Sequence, residues 1–204
     1  MAISIKYAAI ATIVGMSGIA GAVHAARKYY DWEIISDRLS KIGRPLLKIH
    51  EFEKWKKIGD RYKLQTNNDL IEGIDRNASI EKIKEWCAMN SIEKPDDTEL
   101  YRKVATWCTE PLSISEFINK EKKLRMMQTE GATDKHYWDS KVESYKNADS
   151  EKLINKENKP ITSSSITDSE LKNWCKDNAE KDYKYELDPH YLKFIEWCTI
   201  QIKK

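Results

Sequence analysis

Four times in this chain a tryptophan is followed directly by a cysteine: Trp86-Cys87, Trp107-Cys108, Trp174-Cys175 and Trp197-Cys198. The chain holds no cysteine outside these doublets. Their spacing is as informative as their recurrence. Cys108 follows Cys87 by 21 positions and Cys198 follows Cys175 by 23, whereas 67 positions separate Cys108 from Cys175. The doublets therefore come as two pairs. Upstream of each pair lies a second shared element, "WKKIGDRYK" at Trp55 to Lys63 and "WDSKVESYK" at Trp138 to Lys146. A landmark set that recurs in the same order predicts a duplicated module, and internal repeats constrain the fold more strongly than local propensity. The two modules are expected at residues 36–111 and 113–204.

Within a module the segments read as amphipathic helices. Ile80, Ile83, Trp86 and Cys87 recur at helical spacing, as do Leu100, Val104, Trp107 and Cys108. Leu171, Trp174 and Cys175 form the same stripe, and Tyr191, Phe194, Ile195 and Cys198 complete the set. Trp55 and Tyr62, like Trp138 and Tyr145, stand about two turns apart and share a helix face. Ser113-Ile114-Ser115-Glu116 and Thr167-Asp168-Ser169-Glu170 have capping-box spacing, and Asp188-Pro189 sets a cap residue before a proline suited to a first helical turn. Each cysteine pair then falls on the two arms of a helical hairpin. Four cysteines allow three connectivities; Cys87 to Cys108 and Cys175 to Cys198 keep each bridge inside one module. In the chain-entropy account, loops of this length gain about 3 kcal/mol each. Trp86, Trp107, Trp174 and Trp197, about 100° round the helix from their cysteines, are expected to pack over the bridges.

Composition supports thin helical cores. The 204 residues are 33% charged and 40% hydrophobic, with only 7 Gly and 5 Pro, which suits helices joined by polar loops better than a sandwich or barrel. A formal net charge of +2 provides no basic field for nucleic acid. The one apolar block is "YAAIATIVGMSGIAGAVHAA", Tyr7 to Ala26, preceded by Lys6 and followed by Arg27-Lys28. At about 1.5 Å per residue it matches a bilayer core in length. Residues 1–28 are expected to be a transmembrane anchor or a signal peptide, with cleavage after Ala25 as the alternative. Arg27, Lys28, Arg38, Lys41 and Arg44 follow the segment and favour a cytoplasmic body by the positive-inside rule. Long domains translocate largely regardless of charge, and paired cysteines favour an oxidising compartment, so an outward-facing body is expected.

Chemistry is hard to assemble from these residues. Structural zinc usually takes closely spaced pairs such as C-x2-C, absent here, and His24, His50, His136 and His190 stand apart from the cysteines. There is no C-x-x-C, G-x-G-x-x-G, P-loop or G-x-S-x-G. Carboxylates alternate with lysines, as in "EKIKE", in the manner of a solvated helix face. The expectation is a protein with no catalytic residues, no cofactor, no metal and no small-molecule ligand.

The N-terminal apolar segment, the spaced Trp…Tyr-Lys element and the paired "WC" helices together resemble the large paralogous families of uncharacterised proteins of haemotropic mycoplasmas. That resemblance implies exposure at the surface of a wall-less red-cell parasite, and a role in antigenic variation or host interaction. It implies structural rather than catalytic roles for the Trp-Cys residues. The combined expectation is an all-α protein: an N-terminal transmembrane or signal-anchor helix followed by two small helical modules with helical hairpins. It would be held at the membrane through residues 7–26 with its body outside, or secreted, and would bind a host-cell protein. The alternative is a cytoplasm-facing scaffold with reduced cysteines.

Overall fold

The computed structural model describes residues 33–66, 69–156, 159–162 and 164–202. The chain divides into two compact units, with the boundary between Pro111 and Leu112.

Among the described residues the first unit contains four α-helices: α1 (Ile35–Lys41), α2 (Phe52–Lys63), α3 (Ile80–Asn90) and α4 (Thr98–Trp107). α1 is tied to the end of α3 by backbone bonds, Ile35 N–H to Glu93 C=O at 2.9 Å and Ser36 N–H to Ser91 C=O at 3.0 Å. Gly43, at φ 77°, turns the chain after α1 in the left-handed region that glycine enters without steric cost. The extended chain that follows bridges back to the end of α4, with Leu46 opposite Thr109 and Leu47 N–H donating to Cys108 C=O at 2.8 Å. Asp97 caps α4 through bonds from Glu99 and Leu100 N–H, which satisfies amides a helix start leaves open. Ile35, Leu39, Ile58, Ile83 and Val104 are essentially fully buried, each worth about 1.5–3 kcal/mol against exposure.

The second unit contains α5 (Ile114–Glu121), α6 (Lys135–Lys146), α7 (Asp168–Ala179) and α8 (Pro189–Cys198). Capping boxes form at Ser113/Glu116 and Thr167/Glu170, and Asp188 caps α8 ahead of Pro189. α5 ends on Lys122 at φ 54°, the role Gly43 plays in the first unit. Ile114 N–H bonds Lys181 C=O at 2.9 Å. One core gathers Ile118, Trp138, Tyr145, Leu171, Phe194 and Trp197.

The all-α expectation is corrected here. β1 (Leu124–Met126) pairs antiparallel with β4 (Thr199–Gln201), in the register Leu124 with Gln201, Arg125 with Ile200 and Met126 with Thr199. A second pair joins β2 (Asn155–Lys156) to β3 (Lys159–Pro160). The physical reason is local: α8 stops at Cys198, and Thr199 turns extended (φ −126°, ψ 161°). Its backbone groups then need partners outside the helix, which the chain after α5 supplies. Segments of two or three residues are too short to show the alternation that marks a strand. Among the described residues no helix is long and apolar enough to cross a membrane. The apolar run 7–26, the cleavage point after Ala25 and the segment 1–28 lie outside the described residues.

Candidate functional site

The residues singled out by sequence come together as one construction, made once in each unit. Cys87 is bonded to Cys108 and Cys175 to Cys198, each with Cα atoms 5.6 Å apart, and no cysteine is free. The bridges join α3 to α4 and α7 to α8, and the four cysteines are at most 4% exposed.

The tyrosines do more than fill space. In the first unit Tyr62 Oη accepts from Ile71 N–H at 3.0 Å and donates to Ile74 C=O at 2.9 Å. In the second, Tyr145 Oη accepts from Ile154 N–H at 2.9 Å and donates to Ile161 C=O at 2.9 Å. Each hydroxyl thus pins the irregular connection that follows its own helix. Burial raises both phenol pKa values, so the hydroxyls keep the proton they donate.

The second doublet of each pair grips the same connection. Trp107 Nε1 donates to Asp69 C=O at 2.9 Å, and Trp197 Nε1 to Lys152 C=O, in the 3-10 turn Ser150–Lys152, at 2.8 Å. Tyr62 and Trp107 have ring centroids 5.0 Å apart, as do Tyr145 and Trp197, within the range where aromatic pairs add about 0.5–1.5 kcal/mol. Trp55 and Trp138 secure the chain entering the helix, through Nε1 bonds to Lys48 C=O at 2.9 Å and Gln128 C=O at 2.8 Å. Where burying an indole requires a partner for its N–H, these four tryptophans find theirs on main-chain carbonyls of the connections.

The tryptophans of the first doublets are placed differently. Trp86 is half-buried. Trp174 is 8% exposed and lies 5.6 Å from the His190 ring and 6.2 Å from Phe194. Their carbonyls accept from Asn90 Nδ2 at 2.8 Å and Asn178 Nδ2 at 2.6 Å.

Further repeated partners went unread in the sequence, although their signal was present. "KEWCAMN" and "KNWCKDN" share a lysine two places before the tryptophan and an asparagine three after the cysteine; "WCT" closes both units. Lys84 Nζ lies 5.6 Å from the Trp55 ring and Lys172 Nζ 5.7 Å from the Trp138 ring, a cation over an aromatic face. Thr109 and Thr199 Oγ1 both donate one turn back, to Ala105 and Ile195 C=O at 2.7 Å.

Not every interaction is duplicated. Asp134, 1% exposed, takes two bonds from Arg125 at 2.7 Å, whereas its third, from Gln128 N–H at 2.7 Å, is matched in the first unit by Lys48 N–H to Glu51 Oε2 at 2.6 Å. The Arg125 guanidinium leads in holding this carboxyl down to about 2. Phe117 stacks on Tyr183 at 3.8 Å, and Tyr191 meets both edge-on; burial, with Glu121 and Glu186 nearby, pushes the Tyr191 phenol up to about 12.

The outer surfaces diverge where the inner bonds repeat. In the first unit Ile49, Phe52, Leu64 and Met89 are exposed, Phe52 to 68%. Counting from Trp55 and Trp138, and from Cys87 and Cys175, the positions of Phe52, Leu64 and Met89 are taken in the second unit by Lys135, Asn147 and Asp177. The second unit instead exposes Leu187, Leu192 and Ile202. Among the described residues no group of three or more His, Cys, Asp or Glu is arranged to hold a metal ion. Compared with protein-family models, with curated proteins and with solved structures, the chain matches none.

Proposed function

We propose that this chain is an exported, non-catalytic surface protein that presents two disulfide-closed modules to a partner, a host-cell protein in the reading suggested by its resemblance to the mycoplasma families. One observation carries the reading. The bonds that hold each loop are repeated atom for atom between the units, whereas exposed positions such as Phe52 and Lys135, or Met89 and Asp177, differ in chemistry. A scaffold kept constant beneath a surface that varies suits recognition or antigenic display, because binding specificity resides in the few side chains offered at the surface.

The disulfides support export. Closing both modules suits an oxidising compartment, and modules with thin cores gain most from such a constraint. The positive charges that favoured a cytoplasmic body have other employment in part. Arg44 is 4% exposed and donates to Thr109 Oγ1 and Glu110 C=O, and the Arg38 guanidinium lies 4.6 Å from the centre of the Tyr101 ring.

The test is mass mapping of cysteine state on protein from its native cells, with protease shaving of intact cells on the same sample. Bridges within each module together with surface cleavage are expected. Free thiols with full protection would reject the reading in favour of a cytoplasmic scaffold. Given export, binding of the purified chain to host cells should fall on Phe52→Lys while the disulfides stay intact; unchanged binding would remove Phe52 from the contact surface.

A further inference from the structure

The second unit contains a half-buried histidine, with one ring nitrogen turned inward, that has no counterpart in the first. His190 is the second residue of α8, its amide bonded to Asp188 Oδ1 at 2.8 Å. Its ring lies 5.6 Å from that of Trp174 on α7. Nε2 is buried with no hydrogen-bond partner. The charged groups acting on the ring are Lys181 and Lys184 from the α7–α8 connection, and Asp188 and Lys193 from α8. The carboxylates of Glu121 and Glu186 act on Tyr191, the next residue of α8. Counting from Cys108 and Cys198, His190 corresponds to Leu100; the histidine described in the first unit, His50, is exposed.

A neutral imidazole is tolerated in such a place. An imidazolium has a proton on both nitrogens, so it would leave a buried charged donor unpaired and add a cation near Lys181, Lys184 and Lys193. We propose that His190 makes the second module acid-responsive: on protonation the start of α8 loosens from Trp174, while the first module does not respond over the same pH range. The Cys175–Cys198 bridge, at the other end of α8, keeps the two helices joined, so the opening is reversible.

The sign follows from linkage. Burial, reinforced by the lysines, lowers the folded-state pKa, so the open state binds more protons. Stability is then present above the unfolded value of about 6.5 and declines below it. If the ring stays neutral in the closed state, opening at pH 5 rises by up to about 30-fold.

The experiment uses the full chain with both disulfides formed. The His190 imidazole is titrated by NMR, and hydrogen exchange, corrected for intrinsic rates, is read at pH 7.5 and 5.0 from peptides of each module. Expected are a midpoint below the ordinary histidine value, increased opening across residues 168–198, none across residues 80–108, and no response in His190→Gln. An ordinary midpoint, an equal response in both modules, or an acid response retained in His190→Gln would each overturn the proposal. Should His190→Gln fail to fold, the titration and the comparison between modules decide it in the unaltered chain.

Discussion

Replacing Tyr62 by phenylalanine removes one oxygen and leaves the ring that packs on Trp107. That oxygen holds two main-chain groups at once. Ile71 N–H, on a residue 2% exposed, loses its acceptor, and the half-buried Ile74 loses the donor to its carbonyl. A buried donor left unsatisfied costs about 1–3 kcal/mol, and a lost bond to a carbonyl that water can reach about 0.5–1.5 kcal/mol. The sum, taken near its middle, is about 2–3 kcal/mol, or roughly 30- to 150-fold in an opening equilibrium. The assay is amide hydrogen exchange on the oxidised full chain, with each module as the control for the other. Tyr62→Phe should speed exchange at Ile71 and leave Ile154 untouched; Tyr145→Phe should do the reverse and by a similar factor, since its bonds to Ile154 and Ile161 have the same lengths to within 0.1 Å. A change below about 5-fold at the target amide, or an equal change at both amides, would refute the claim that these hydroxyls hold the connections.

The remaining expectations concern bridges, backbone and charge. Replacing Cys87 and Cys108 by alanine, or Cys175 and Cys198, should lower the stability of the affected module by about 3 kcal/mol in denaturant titration, with nearly equal losses because loops of 21 and 23 positions differ little in closure entropy; a twofold inequality would count against that account. Lys122→Gly should stabilise the second module by about 0.5 kcal/mol, since relief at φ 54° outweighs the added freedom of the unfolded chain, whereas Gly43→Lys at φ 77° should destabilise the first by about 1 kcal/mol; thermal unfolding of both variants checks the opposed signs. The Asp134 carboxyl, lowered to about 2 chiefly by Arg125, contributes stability that is complete above pH 4 and is lost as the pH falls towards 2. Because Arg125 is 41% exposed, the contribution is discounted for screening to about 1–2 kcal/mol. Asp134→Asn should abolish that acid step in a stability-against-pH series, and an unchanged step would assign it elsewhere.

What the sequence determined by itself was the grammar of the modules. Paired Trp-Cys doublets at matched spacing gave the helical hairpins and the pairing of the bridges, because a disulfide needs both cysteines on facing elements and a helical stripe supplies that facing. Thr167 and Ser113 announced their capping boxes because a cap is a contact three residues long. The recurring lysine, asparagine and threonine around the doublets were also written there, visible once the two copies are aligned.

Only the tertiary structure decided what those residues hold. The acceptors for Trp55, Trp107, Trp138 and Trp197 are carbonyls of Lys48, Asp69, Gln128 and Lys152. A backbone carbonyl looks the same on every residue, so no side-chain pattern marks it in advance. The strand pair of Leu124–Met126 with Thr199–Gln201 joins segments far apart in the chain. It forms because a helix that ends must place its next amides somewhere, and that choice is made by whatever chain the fold brings alongside.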